Sequence, residues 1–209
     1  MRDPGNISSI AGLLPDYMGF IYYPGSKRYA GSLLPGGIGD LPSSIRKTGV
    51  FVNSNREEVL SIAETMGFHA VQLHGDESPG FCREIKENGL EVIKVFSIGN
   101  EGGFERWKVY QEYCDLFLFD TEGIGYGGTG VKFGWERLSE YDGEKGFFLS
   151  GGIAPGDLEE ILELKHPQFY GVDLNSGFET EPGMKNPEQL EAFIRGIRGN
   201  SENYLGSGE

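Results

Sequence analysis

Only two cysteines, Cys82 and Cys114, and three histidines occur in 209 residues, and that shortage removes several classes of protein at once. Two thiols cannot build the disulfide framework of a small secreted domain, and neither they nor the scattered histidines fall at metal-ligand spacing. No metal site is expected. Basic residues are scarce as well: 18 Lys and Arg stand against 32 Asp and Glu, a formal net charge of −14. Binding nucleic acid takes clustered cations, and no basic stripe runs through the chain, so no nucleic-acid partner is expected. The apolar runs have strand length, and none nears the roughly 18 residues of a membrane helix. The amino end lacks the basic stretch and apolar run of a secretion signal. No membrane partner is expected, and the cytoplasm is the default location.

Glycine, by contrast, is plentiful: 34 residues against 10 prolines, many at the ends of apolar runs, where tight turns beside a site use them. The length suits one domain with a sizeable core. Seven strand-like runs stand out: "YMGFIYY" (17–23), "GVFVN" (49–53), "AVQLH" (70–74), "VIKVFS" (92–97), "LFLFD" (116–120), "GFFLSGG" (146–152) and "YGVDLNSG" (170–177). Most are almost continuously apolar, as parallel strands buried on both faces are. Helix-like segments such as "REEVLSIAETMG", "SPGFCREIKENG" and "NPEQLEAFIRGI" alternate with them, and a helix capped by Asp3 with Pro4 in its first turn opens the chain. The alternation predicts an α/β fold with a parallel sheet, either an open doubly wound sheet or a closed barrel. The barrel is preferred, because no dinucleotide fingerprint follows a strand and polar residues end nearly every strand. One barrel domain over residues 1–198 is expected, with 199–209 as a loose tail.

The carboxyl ends of the strands should share the face where barrels keep their chemistry. Asp120 ends an almost wholly apolar strand; it is either a general acid or the cap of the following turn. The glycine-rich stretch after it, "GYGGTG", which contains Gly128, suits a hinged loop that closes over a substrate. His74 is a substrate contact or a hydrogen-bonded scaffold residue. Arg28, in "YPGSKRYAG", either forks onto a carboxylate or sits in solvent. Gly151 and Gly152 start one small-residue turn, and Ser176 and Gly177 form another on the neighbouring strand; backbone N–H groups in such turns bind phosphate. Asp173 and Asn175 have the parity to point inward, toward a sugar or into core hydrogen bonds.

In series, "GFIYYPGSKRY", "GVFVN", "VQLHGDE", "LFLFDT…GYGGTGVKFGW", "LSGGI" and "GVDLNSGFETEPGMKN" resemble the phosphoribosylanthranilate isomerase family of tryptophan biosynthesis. The resemblance spans residues 1 to about 198. It implies a (β/α)8 TIM barrel that rearranges N-(5-phosphoribosyl)anthranilate to its 1-deoxyribulose isomer without a cofactor, as a monomer or homodimer. It also implies Asp120 as general acid, Arg28 on the anthranilate carboxylate, and Gly151, Gly152, Ser176 and Gly177 as the phosphate cradle; His74, Gly128, Asp173 and Asn175 are the candidate substrate contacts. The family's first strand ends in a Cys-Gly pair whose Cys is the general base, and "MRDPGNI" corresponds to the residues just after that pair. Seven strands are therefore expected, with a gap between the 17–23 and 170–177 strands, and Met1 is expected to be an internal methionine of a longer protein. The alternatives are a non-catalytic barrel that binds a phosphorylated ligand or acts as an interaction module, and, less well matched, another phosphosugar barrel.

Overall fold

The computed structural model describes residues 1–33, 35–99, 105–121 and 134–205. In chain order the regular elements are α1 (Pro4–Ala11), β1 (Tyr17–Ile21), α2 (Gly36–Gly39), β2 (Arg46–Phe51), α3 (Arg56–Met66), β3 (Ala70–Leu73), α4 (Pro79–Glu87), β4 (Glu91–Ile98), β5 (Leu116–Thr121), β6 (Phe147–Leu149), α5 (Leu158–Leu162), β7 (Phe169–Val172), β8 (Glu179–Glu181), β9 (Met184–Lys185) and α6 (Pro187–Leu205). Short 3-10 turns at Arg106–Tyr110, Trp135–Glu140, Pro155–Asp157 and Ser176–Phe178 complete the connections.

Strands β1 to β7 form one sheet in the order β1-β2-β3-β4-β5-β6-β7, and each neighbouring pair is parallel. A doubly wound sheet reverses direction at a switch point; this one advances strand by strand, as a barrel does. Within the described residues β1 and β7 are its two edges, the gap the sequence predicts. Asp16 and Tyr22 flank β1 and bond to β2, whereas Gly19 and Ile21 on it turn their carbonyls the other way and accept from the amino nitrogen of Met1 at 2.9 Å and from Ala30 N at 2.8 Å. β8 and β9 are a separate antiparallel pair.

Each strand buries both faces, which is why the runs read as continuously apolar. Ala70, Ile93, Val95, Leu116 and Leu118 pack with Tyr17 and Phe148 on the concave side. Phe20, Phe51, Phe117, Phe119 and Phe147 face the helices and are fully buried, each worth about 1.5–3 kcal/mol of transfer from water. Helix starts follow their caps: Asp3 accepts from Asn6 N at 2.8 Å, Asn55 from Glu58 N at 2.9 Å and Ser78 from Phe81 N at 3.2 Å. The carboxyl-terminal helix α6 continues to Leu205, so residues 199–205 are helical where missing apolar periodicity suggests a loose tail. Among the described residues no helix is long and apolar enough to cross a membrane.

Candidate active site

Because side chains alternate along a strand, the concave positions Leu116 and Leu118 carry on to Asp120, and Ala70 carries on to Gln72 and His74. Asp120, in register with Ser97 of β4, is 8% exposed. Its Oδ2 lies 3.4 Å from Nε2 of His74, and Nδ1 of His74 lies 3.1 Å from Oε1 of the buried Gln72. The side chain of Gln72 also acts on the carboxyl of Asp173, just beyond β7, favouring its ionised form. Four polar side chains from three strands thus meet over the carboxyl end of the sheet. Asp173 keeps part of its surface on the cleft, but its carboxyl is raised above the usual range, mainly by burial and further by Asp120, with Lys185, His74 and Gln72 opposing.

Lys185 of β9 donates to Oδ1 of Asn175 at 2.7 Å and to Glu179 at 3.1 Å. Burial lowers its pKa, with Glu179 acting against that. Glu179 also takes a fork from Arg28: Nε at 3.0 and 2.8 Å to its two oxygens, and one terminal nitrogen at 2.7 Å. Burial works to raise the Glu179 carboxyl, but the bonds from Arg28 and Lys185 hold it below the ordinary value. Arg28 is therefore neither loose in solvent nor unattached; one edge of its guanidinium is fixed by an acid 151 residues away.

Gly151 and Gly152 have φ of +92° and +68°, left-handed conformations that side chains rarely adopt. A Cβ on Gly177 would collide with the carbonyl oxygen of Ile153, so the turns after β6 and β7 lie in direct contact. This brings Gly151, Gly152, Ser176 and Gly177 to one corner of the cleft. Gly128 lies outside the described residues.

Behind His74 sits a clamp that sequence patterns did not reveal. Lys94 of β4 is 2% exposed and donates to the carbonyls of Leu73, Gly75 and Val95 and to Oε2 of Glu77, all at 2.7–3.2 Å. Glu77 accepts from Asn53 N and Gly75 N, and Asn53 Oδ1 from Asp76 N. The turn carrying His74 is thereby tied to β2 and β4. A lysine inside the apolar run "VIKVFS" was the available signal, since a cation buried there needs an anion. Gln72, Lys185 and Glu179 were missed as well; only Gln72, two residues before His74, had a parity cue.

Residues 39–196 match the model of a family described as N-(5'phosphoribosyl)anthranilate (PRA) isomerase. The chain belongs to the phosphoribosylanthranilate isomerase family. A relative named N-(5'-phosphoribosyl)anthranilate isomerase, from Phocaeicola vulgatus, is 46% identical over 95% of each chain. The crystal structure of the isomerase from Thermotoga maritima superposes with a TM-score of 0.83 at 33% identity, covering 95% of this chain and 96% of that one. Another solved family member, in complex with reduced 1-(o-carboxyphenylamino)-1-deoxyribulose 5-phosphate, superposes with a TM-score of 0.79 at 31% identity over 95% of each chain. The TIM-barrel fold and the isomerase function follow for this chain, and neither the non-catalytic barrel nor another phosphosugar enzyme is favoured.

Cys82 and Cys114 are both fully buried and cannot act as the thiol base that the sequence resemblance implies. Cys82 lies within α4, and the neighbouring Cys82 thiol together with burial raises the pKa of Cys114.

Burial holds the Asp173 carboxyl above its ordinary value in the folded chain. A folded-state pKa above the unfolded value means that the folded chain binds the extra proton, so stability declines as pH rises through the window above about 3.9. Asp173→Asn is expected to gain about 0.5–2 kcal/mol at neutral pH while losing activity, as stabilising changes in sites often do. The gain should vanish at the acid end of the window, as measured by urea denaturation across pH. A gain independent of pH would refute the assignment.

Proposed function

We propose that Asp120 is the general acid of the family's reaction in this chain. That reaction is an Amadori rearrangement that converts N-(5-phosphoribosyl)anthranilate to 1-(2-carboxyphenylamino)-1-deoxyribulose 5-phosphate in tryptophan biosynthesis. The turns at Gly151–Gly152 and Ser176–Gly177 hold the phosphate with backbone N–H groups. Arg28, braced by Glu179, presents its other edge to the anthranilate carboxylate, with His74 and Gly128 as further contacts, and Asp173 and Asn175 meet the sugar. Asp120 protonates the ribose ring oxygen, the ring opens to a Schiff base, and removal of the C2 proton leads to the ketose. The observation that carries this reading is a buried carboxylate, at the end of an apolar strand, in contact with an imidazole and on the same face as the paired glycine turns.

The test uses the reduced product analogue and the substrate. Residues 1–209 are expected to bind the analogue. They should isomerise substrate at least ~100-fold more slowly than the same chain carrying an upstream apolar strand that ends in Cys-Gly, the lower range for one proton-transfer group. The extended chain with that Cys changed to Ser should keep any stability gained from pairing the β1 edge, yet stay slow. Full rate in the Ser version would defeat the base assignment, and no turnover in any version would favour the binding module.

A further inference from the structure

Gln72 and His74 are two residues apart on the concave side. The Oε1 of Gln72 faces Nδ1 of His74 at 3.1 Å, and its side chain also acts on the Asp173 carboxyl. An amide oxygen only accepts, so Nδ1 of His74 must carry a hydrogen. In the neutral ring that leaves Nε2 with a lone pair, and Nε2 stands 3.4 Å from Oδ2 of Asp120. If both groups were unprotonated, the lone pair of Nε2 would face the carboxylate directly. One proton between them removes the conflict, either as imidazolium and carboxylate or as imidazole and carboxylic acid.

We propose that His74 and Asp120 hold a single proton as a unit, with Gln72 fixing the tautomer of His74 that makes this possible. This rests on Asp120 being the acid, and it makes His74 and Gln72 positioning residues that act through it. A proton held between His74 and Asp120 is one that the acid can deliver. In the step the one proton moves from Nε2 to Oδ2, and Asp120 delivers that same proton to the ring oxygen. The pair then lacks one proton, which solvent or the proton taken from C2 restores.

The charged groups around the pair leave this arrangement intact. Asp173 faces it from beyond β7 and favours the bound proton, while Lys185 of β9 opposes it from behind Asp173. On the β3 side Glu77 and Lys94 neutralise each other inside the clamp. Asp76 lies outside, 3.9 Å from Arg106. The neighbouring strand ends on β4 and β6 present Ser97 and Ser150, which carry no charge.

Two measurements decide the matter, and the first needs no turnover. In chain labelled with nitrogen-15 at histidine, His74 is expected to keep Nδ1 protonated from about pH 5 to 9 while Nε2 titrates; Gln72→Met should release that preference. A neutral His74 protonated at Nε2 with a bare Nδ1 would overturn the proposal while leaving Asp120 as acid untouched. The second is the pH profile of kcat for His74→Gln, whose amide still reaches Asp120 but cannot pass a proton. Its alkaline limb should move at least about one unit toward acid, with about tenfold or greater loss at pH 7. A profile that is merely scaled down, with its limb unmoved, would show His74 to be scaffold only.

Discussion

Asp120→Asn is expected to lower kcat by about 10²- to 10⁴-fold, or roughly 3–5 kcal/mol of barrier, while affinity for the reduced product analogue changes little. Asparagine fills the same space at the end of β5 and keeps an oxygen toward the cleft, so the loss isolates the proton. The alternative role, a carboxylate that caps the following turn, predicts a different outcome: stability would fall by about 1 kcal/mol and turnover would hold. Position argues for the first. Asp120 follows Leu116 and Leu118 on the concave side, is 8% exposed and touches His74. A burial of that depth is costly for a carboxylate without a task or a partner. Measuring kcat in the most active form of the chain gives the widest range. Unchanged turnover there would return Asp120 to the capping role.

Lys94→Met should cost about 3–5 kcal/mol of folding stability, the usual result of leaving one partner of a buried ion pair alone. A domain holds only about 5–15 kcal/mol in total, so the urea midpoint should fall far or the chain should fail to fold. The pair's side chains are each 3% exposed. Methionine reproduces the bulk of the lysine stem over Phe96 and Tyr110, where Nζ lies 5.8 and 5.9 Å from the ring centres, so the loss reports charge and hydrogen bonds, not volume. Three carbonyls and one oxygen of Glu77 lose their donor together. Adding Glu77→Gln should recover part of the loss, because the stranded charge is then gone. A single-variant loss below about 1 kcal/mol would contradict the clamp. Since the clamp holds the turn carrying His74, whatever fraction folds should also show a lower kcat, a change of about 1 Å at a reacting group being enough for ~100-fold.

What the amino-acid sequence determined by itself is local. Runs such as "LFLFD" and "VIKVFS" appear as β5 and β4 within a residue at each end, because burial on both faces leaves an unbroken apolar signature that needs no partner to be read. Asp3 marked its helix for the same reason, a cap being a bond within four residues. The strand ends were read too long. "GFFLSGG" is a strand only over Phe147–Leu149, since the left-handed turn at Gly151 and Gly152 leaves the ladder, and "YGVDLNSG" stops at Val172 before the turn at Ser176. Placement of Asp120, His74 and the glycine turns on one face followed from strand parity and parallel order.

Tertiary structure decided the partners. Arg28 and Glu179 stand 151 residues apart, Lys94 and Glu77 are 17 apart, and Gln72 reaches Asp173 from a strand four places away in the sheet. No periodicity encodes such pairs, because a side chain's face is set by its own strand while its counter-charge is set by how far the sheet has curled to bring other strands across. A lysine in an apolar run announces that some anion must meet it; only the folded sheet shows that the anion is Glu77, and that the bond holds the histidine beside the acid.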